Sequence, residues 1–464
     1  MARPALSGLH LAWEPLCLTV FLSLLAWQLF LPPVTGLSDN NDFSKVLGPA
    51  HICKASRDNL NSYFVTGYAA GPQCQWSGGF TSSEILLVDL ARYLSRPFTG
   101  RYYFDLRASA AVHVAVLAGA MALFLRITRR QRPLIRFLLP PLAILMFSDV
   151  AYVAYLNSAY MDNASWVLFL LLAAIAADAC IGPHAGRPWL APCYGLAGIL
   201  LVFSKAQHAV LGLPFAGLAA WFAWRNREPV QRIAWMVCVA GLLTSVAIMP
   251  RLTPPEYRNI SLFNLIFYRL APADRTVLDQ LGLDSNYQKW IGSQAFALNS
   301  PLPDPDWTRR FVNQVSFFDI AMLYVRHPGI ALREIDRELH DSVHSMRPDY
   351  MANYRQADGF PPHSVATRFS FWSDLKMRTV TRFPYLLLFL YGVPFLGAFW
   401  RSAGIPLAVT LAVAGICEFG LCTLADAIDT HRHMFLFHIV TDSLILLAAA
   451  WLLAGRRRQP AELP

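Results

Sequence analysis

The chain is poor in charge. Asp, Glu, Lys and Arg make up only 15% of its 464 residues, against roughly 25% in a soluble globular chain. No internal repeat or low-complexity tract is evident, and no CxxC or HExxH pattern marks a zinc site. Eight cysteines in a chain of this length exclude a disulfide miniprotein. Hydrophobic residues reach 55%, which excludes a disordered tail. Their grouping into runs of about 18 to 22 residues, enough to cross a ~30 Å hydrocarbon layer, excludes an ordinary soluble enzyme.

Ten spans are expected, at about 14–34, 108–126, 137–156, 164–181, 189–203, 209–224, 233–249, 383–400, 405–424 and 434–454. The first passes Trp13, Trp27 and Phe30 and ends at Pro32-Pro33 without a small-x-small site, so it reads as a retained span rather than a cleaved signal peptide. The fold class that follows is an all-α polytopic membrane protein.

The formal net charge of +9 raises nucleic-acid or acidic-lipid binding as a first thought. Its distribution answers that thought. Fourteen basic residues fall in alternate short loops and at the termini: Arg3, Arg126, Arg129, Arg130, Arg132, Arg136, Arg187, Arg225, Arg227, Arg232, Arg401 and Arg456 to Arg458. The opposite short loops hold only Lys205 and Arg432. The positive-inside rule then puts both termini in the cytoplasm. The basicity reads as an orientation signal, and no nucleic-acid partner is expected.

Three regions follow. Residues 1–249 form a transmembrane module with a first extracytoplasmic loop at 35–107, 250–382 form an extracytoplasmic segment of short helices and loops, and 383–464 hold the last spans and a basic tail. In the first loop, Ser83 to Leu94 is amphipathic, with Ile85, Leu86, Leu87, Leu90 and Leu94 as its stripe. It suits either a helix on the membrane surface or a packed helix. Helices are expected over Arg269 to Leu283, Arg309 to Val325 and Pro328 to Ser345. Trp290, Trp307, Tyr350, Tyr354 and Trp372 offer faces to a glycan, or the core of a small domain. Cys53 and Cys74 share the first loop, and an oxidising exterior allows them to pair. The other six cysteines lie in or beside spans and read as small apolar residues.

Candidate chemistry gathers on the outer side. Asp39, Asn41 and Asp42 follow the first span in SDNNDF, where a carboxylate serves either as a general base or as a helix cap. Tyr160 and Asp162 lie between the third and fourth spans. Lys205 and His208 lie between the fifth and sixth; a lysine there binds a lipid phosphate or snorkels to headgroups. Asp426, Asp429, His431, Arg432, His433 and His438 crowd the last outer turn, and the arginine fork suits phosphate. Asp149, Glu418 and Asp442 fall inside spans, where ionisable groups usually face a polar cavity, and Lys205 or Arg432 could be their partners.

A first span leading into a long outer loop that opens on Asp39-Asn40-Asn41-Asp42-Phe43, with a second acidic position at Asp162 in YMDNAS, resembles the GT-C superfamily of polytopic glycosyltransferases. That group includes protein O-mannosyltransferases, lipid A aminoarabinose transferases and hexose transferases of surface-glycan assembly. SDNNDF departs from the Asp-Glu pair of the mannosyltransferase branch, which leaves sub-family and acceptor open.

The resemblance implies a GT-C-like bundle in a bacterial plasma membrane. It implies transfer of a sugar from a polyprenyl-phosphate donor to a glycan, lipid or protein acceptor outside the cytoplasm, in cell-envelope glycan synthesis. Asp42 would be the base, with Asp39 second. Asp162, Tyr160 and Asn41 would meet the sugar; Lys205, Arg432, His433 and His208 would meet the lipid phosphate. Asp162 could instead hold a divalent ion, but no metal is expected to be required. The competing readings are a polymerase or ligase using lipid-linked glycans, and a transporter or flippase.

Overall fold

The computed structural model describes residues 4–54, 61–76, 78–182, 184, 186–341, 346–348, 350–399 and 403–455. Arg3, Arg401, Arg456 to Arg458 and Ser345 of the expectations above lie outside these residues.

Among the described residues, seven helices are long and apolar enough to cross a membrane: Ala12–Leu29, Leu106–Arg129, Asp162–Ile181, Ala206–Arg225, Pro229–Leu252, Ile405–Leu424 and Thr430–Ala454. Two bent pairs raise the number to as many as nine. Pro133–Phe147 and Val150–Leu156 meet at 61°, and Phe371–Arg382 and Leu386–Ala398 meet at 111°. The expected ten therefore become seven to nine, although helix occupies each of the ten positions. Leu190–Val202 has 13 residues, only about 20 Å of rise.

The first bend has an identifiable cause. Asp149, read from sequence as an intramembrane acid, caps Val150–Leu156 by accepting from the backbone N–H of Ala151 at 2.9 Å. Its other oxygen accepts from the backbone N–H of Ser373 at 2.8 Å. The Ser148 carbonyl at the same break accepts from Gln28 at 2.8 Å. Side chains and backbone from other elements thus satisfy the groups a bend exposes.

The bundle core is continuous and aromatic at its centre. Tyr155 stacks on Phe435 at 3.9 Å between ring centroids, and the fully buried Trp166 meets Phe435 edge-on. Leu106–Arg129 packs on Asp162–Ile181, and Pro229–Leu252 packs on both Leu190–Val202 and Gly212–Arg225.

The first polar segment carries a small antiparallel sheet that sequence patterning did not reveal. Strands β1 (Ile52–Cys53), β2 (Gly67–Ala70) and β3 (Tyr103–Asp105) lie in the order β1-β2-β3, pairing Ile52 with Ala70 and Tyr68 with Phe104. These strands are too short for an alternating pattern to register. Cys53 and Cys74 form a disulfide with Cα atoms 5.3 Å apart, within the usual bridging range.

Helix Ser83–Thr99 follows, its start capped by Ser82 Oγ accepting from the Glu84 N–H at 3.1 Å. The expected apolar stripe divides between two faces. Ile85, Leu87 and Val88 pack inward, whereas Leu86, Leu90, Leu94 and Phe98 recur every four residues on the exposed side. Such an outer stripe suits a helix at a membrane–water boundary.

The second polar segment divides in two. Residues 255–330 build a core of their own around Phe263, Phe267 and Phe311, and Trp290 and Trp307 pack against it. The helix expected over Arg309 to Val325 breaks into Pro305–Gln314 and Phe317–Arg326, because Ser316 and Asp319 form a capping box between them. Residues 350–354 instead join the first segment. The Ser38 N–H donates to the Ala352 carbonyl at 2.8 Å, Gly36 to Asn353 at 3.0 Å, and Phe64 to Tyr354 at 2.9 Å. Tyr350 and Trp372 pack on the bundle core, and Tyr354 stacks on Phe360. Of the two readings open to the five aromatics, glycan faces or core, their contacts are those of packing residues.

Candidate functional site

A cavity of about 1090 Å³ opens where the two polar segments meet the bundle. Its polar wall begins with the turn after the first span. Asp39 Oδ1 accepts from the backbone N–H of Asn41 at 2.7 Å and of Phe43 at 3.2 Å, and Asn40 Oδ1 accepts from Asp42 N–H at 3.2 Å. Asn41 sits at φ +84°, a left-handed conformation that asparagine tolerates better than most residues. This turn is built by the side chains of Asp39 and Asn40, and it directs Asp42 into the cavity. Asp39 is buried and closes the turn that precedes helix Ser44–Leu47. Burial raises its carboxyl above the ordinary value, against the pull of the turn N–H groups. Asn41 is exposed and lies outside the cavity lining.

Tyr160 supports both sides of the wall. Its hydroxyl donates to the Ser38 carbonyl at 2.9 Å and accepts from the Asn40 N–H at 3.1 Å. Its ring packs edge-on against Phe43 and carries the Arg432 guanidinium 4.5 Å above its face.

Arg432 is the hub. Nη2 donates to Asp42 at 2.6 Å, Nε donates to Asp429 at 2.6 Å, and Nη1 lies 3.9 Å from Asp162. Asp429 heads the short helical turn Thr430–His433 from a left-handed conformation, φ +64°, and its carbonyl accepts from the N–H groups of Arg432 and His433. Lys205 donates to Asp162 Oδ1 at 3.0 Å, while the buried Oδ2 of Asp162 has no hydrogen-bond partner. Lys45 reaches Asp42 at 2.5 Å and faces the Tyr257 ring at 4.8 Å.

The structure thus brings Asp42, Tyr160, Asp162, Lys205 and Arg432 into one cavity lining. Two other candidates stand behind it. His208 is fully buried, with Nδ1 2.8 Å from Glu418 and Nε2 without a hydrogen-bond partner. His433 pairs with Asp426, and only the aspartate lines the cavity. Of the acids inside the spans that could partner Lys205 or Arg432, Asp149 caps a helix, Glu418 pairs with His208 and Gln207, and Asp442 pairs with Lys376. Nearer partners claim each of them.

Sequence reasoning missed Lys45, Tyr257 and Arg258, which also line the cavity. Lys45 had a signal, since it follows Asp42 by three residues in a helical turn. Tyr257 and Arg258 belong to helix Pro255–Phe263, which starts just after the span Pro229–Leu252, and nothing local announces that it meets the cavity.

The charges of the lining favour an anion. Five basic residues, Lys45, Lys205, Arg251, Arg258 and Arg432, face three acids, Asp42, Asp162 and Asp426. Arg251 and Arg258 make no ion pair among the described residues. Burial alone would raise the Asp42 carboxyl, but Arg432 and Lys45 outweigh it and hold that carboxyl well below the usual carboxylate range. For Asp426, His433 likewise outweighs burial and lowers the carboxyl. Among the described residues, no three His, Cys, Asp or Glu side chains gather as a metal-holding group.

The lining also holds apolar residues. Met249 and Pro250 come from the end of one span, Leu421 and Leu424 from the end of another, and Phe317, Ile320 and Tyr324 from the second segment. A lining that joins charged and apolar residues at the end of a helical bundle accommodates an amphiphile with an anionic head.

Fold and cavity together define an integral, polytopic, all-α membrane protein with a polar site at one end of the bundle. The chain belongs to the family described as the YfdI N-terminal transmembrane domain, whose model matches residues 7–461. No curated protein matches the chain.

Proposed function

We propose that the protein is a membrane glycosyltransferase that takes a sugar from a polyprenyl-phosphate donor and transfers it to an acceptor hydroxyl on the outer face of a bacterial plasma membrane. The observation that carries this reading is the placement of two carboxylates, Asp42 and Asp162, among an excess of cations in a cavity whose lining also holds apolar residues.

The donor's isoprenoid lies against Met249, Pro250, Leu421 and Leu424, and its phosphate against Lys205 and Arg432. The acceptor oxygen attacks the anomeric carbon as the bond from that carbon to the phosphate oxygen breaks. The acceptor proton passes to Asp42, and polyprenyl phosphate leaves as the anion. Fixed cations favour the charge that grows on the leaving phosphate. Asp42 is a weak base while Arg432 and Lys45 both hold it; a phosphate that draws these cations toward itself strengthens that base. Asp162, with one oxygen that accepts no hydrogen bond, orients the sugar. Tyr160 positions Arg432 rather than touching the reacting atoms. Asp39 holds the turn that aims Asp42.

The test uses the purified chain with a monophosphate-linked sugar. Asp42→Asn keeps the size and removes the base. Transfer falling by about 10² to 10⁴-fold, with donor binding retained, supports the assignment; transfer at the parent rate removes Asp42 from that role. The unengaged Arg251 and Arg258 favour a second reading, a polymerase or ligase that uses a more highly charged diphosphate-linked glycan. Product from the diphosphate donor alone selects that reading. Movement of a lipid-linked sugar across proteoliposomes without bond formation selects a flippase.

A further inference from the structure

A second cavity, of about 550 Å³, lies at the arginine-rich end of the bundle. It is built from residues of Ala12–Leu29, Leu106–Arg129, Pro133–Phe147, Asp162–Ile181, Ile405–Leu424 and Thr430–Ala454. Its lining is almost wholly apolar, and Phe124, Ala174, Ala177, Leu447 and Ala450 are only half-buried there. A cleft that leaves such residues accessible between spans suits hydrocarbon.

Its length and its charges identify the occupant. Along one helix the lining runs from Leu117 to Thr128, and along another from Ser443 to Ala454. Each stretch covers eleven residue steps, about 16 Å of rise, close to one leaflet of a ~30 Å hydrocarbon layer. The polar end of the cleft is closed by Thr128, Gln131 and Gly455. Between and beside these residues stand the exposed Arg129, Arg130 and Arg132. Arg132 donates through Nη1 to the carbonyl of Ala454, itself a lining residue. Among the described residues, the acid in contact with this group is Glu14, 3.4 Å from Arg129, so positive charge is in excess at the rim.

We propose that this cleft is a binding site for one anionic phospholipid of the adjacent leaflet, with an acyl chain in the apolar slot and the phosphate against Arg129, Arg130 and Arg132. A leaflet-length slot that ends in a basic rim fits a phospholipid, and basic pockets between transmembrane helices recognise anionic headgroups in this way. The site lies at the opposite end of the bundle from the charged cavity and is independent of the function proposed for that cavity.

The test is lipid retention by the full chain in detergent, read by native mass spectrometry. Phosphatidylglycerol is compared with phosphatidylcholine of the same acyl chains. The parent is expected to retain phosphatidylglycerol about tenfold better, and the triple variant Arg129→Gln, Arg130→Gln, Arg132→Gln to reduce that preference to about threefold or less. Ala177→Phe, which fills the slot, is expected to lower retention of both lipids. The arginine changes are on exposed side chains and keep the test usable if the filled slot does not fold. Equal retention of the two lipids by the parent, or an unchanged preference in the triple variant, overturns the proposal. Displacement of phosphatidylglycerol by polyprenyl phosphate at a lower concentration than by phosphatidylglycerol itself also overturns it, and gives the slot to the carrier.

Discussion

Arg432 and Asp442 stand on the same apolar helix, ten residues or about 15 Å apart, yet their surroundings differ. Asp442 is saturated. It accepts from Lys376 at 2.6 Å, from the Tyr152 hydroxyl at 2.6 Å and from the Trp372 indole at 2.7 Å, and it is fully buried. Around Arg432, Asp162 keeps one oxygen without a hydrogen-bond partner and further arginines wait on the cavity wall. Both clusters are ionic, buried and expensive to build in a membrane protein. The difference lies in what is left over. A carboxylate with three good donors holds helices together, whereas carboxylates and cations with unspent capacity beside a cavity are arranged for a ligand.

The most severe way to break this contrast is to neutralise one member of each cluster. Asp42→Asn should reduce sugar transfer by about 10² to 10⁴-fold, with a loss of stability smaller than that from breaking the buried Lys376–Asp442 pair. Lys376→Met should do the reverse. It strands a buried Asp442 and should destabilise by about 3–5 kcal/mol, measured by unfolding in detergent, with the kinetics of the surviving folded fraction intact. If both variants lose activity and stability together, the division between the two clusters fails.

Smaller changes sharpen it. Cys53→Ser with Cys74→Ser opens a loop whose ends are 21 residues apart, a loss of about 3 kcal/mol on the chain-entropy account. It should loosen the first polar segment while leaving the Lys376–Asp442 pair in place, which site-resolved hydrogen exchange would show. Asp39→Ala removes a turn cap rather than a reacting group. It should cost about 1 kcal/mol of stability, and its effect on transfer should be much milder than that of Asp42→Asn.

The pH response of Asp42 gives the smallest expected effect. Its folded-state carboxyl is lowered because Arg432 and Lys45 outweigh burial. A lowered carboxyl contributes stability that is fully present above the unfolded value of about 4 and is lost as pH falls through the lower folded value. The stability difference between parent and Asp42→Asn should therefore be flat above about pH 4 and narrow only in stronger acid. A difference that already narrows near pH 6 would mean that these cations do not hold Asp42 in solution.

How far the site was legible in sequence depends on the distance between partners. The acidic turn at 39–42 could be marked because its residues are adjacent, but the same adjacency made cap and base equivalent until Asp39 was seen to spend its oxygen on two backbone N–H groups. Lys205 and Arg432 stood out as rare cations in otherwise apolar loops. His208 occupies the same loop as Lys205 but turns inward to Glu418, and no local pattern distinguishes the two directions. Tyr257 and Arg258 were invisible because they lie in a new helix that starts after the break at Thr253-Pro254, and only the packing puts them on the cavity.

The sequence by itself determined that this is a polytopic helical membrane protein and where its long apolar helices lie, and it allowed Cys53 and Cys74 to meet. Those properties follow from local composition, run length and loop membership. Only the tertiary structure decided that, among the described residues, seven to nine helices are span-like rather than ten, because Leu190–Val202 is short and two pairs bend at 61° and 111°, the first bend being held by Gln28 and Ser373 from other elements. It also decided which acids line the cavity. Asp42 and Arg432 are 390 residues apart, and whether a carboxylate caps a helix, closes a buried pair or faces a cavity depends on the donors that packing brings to it.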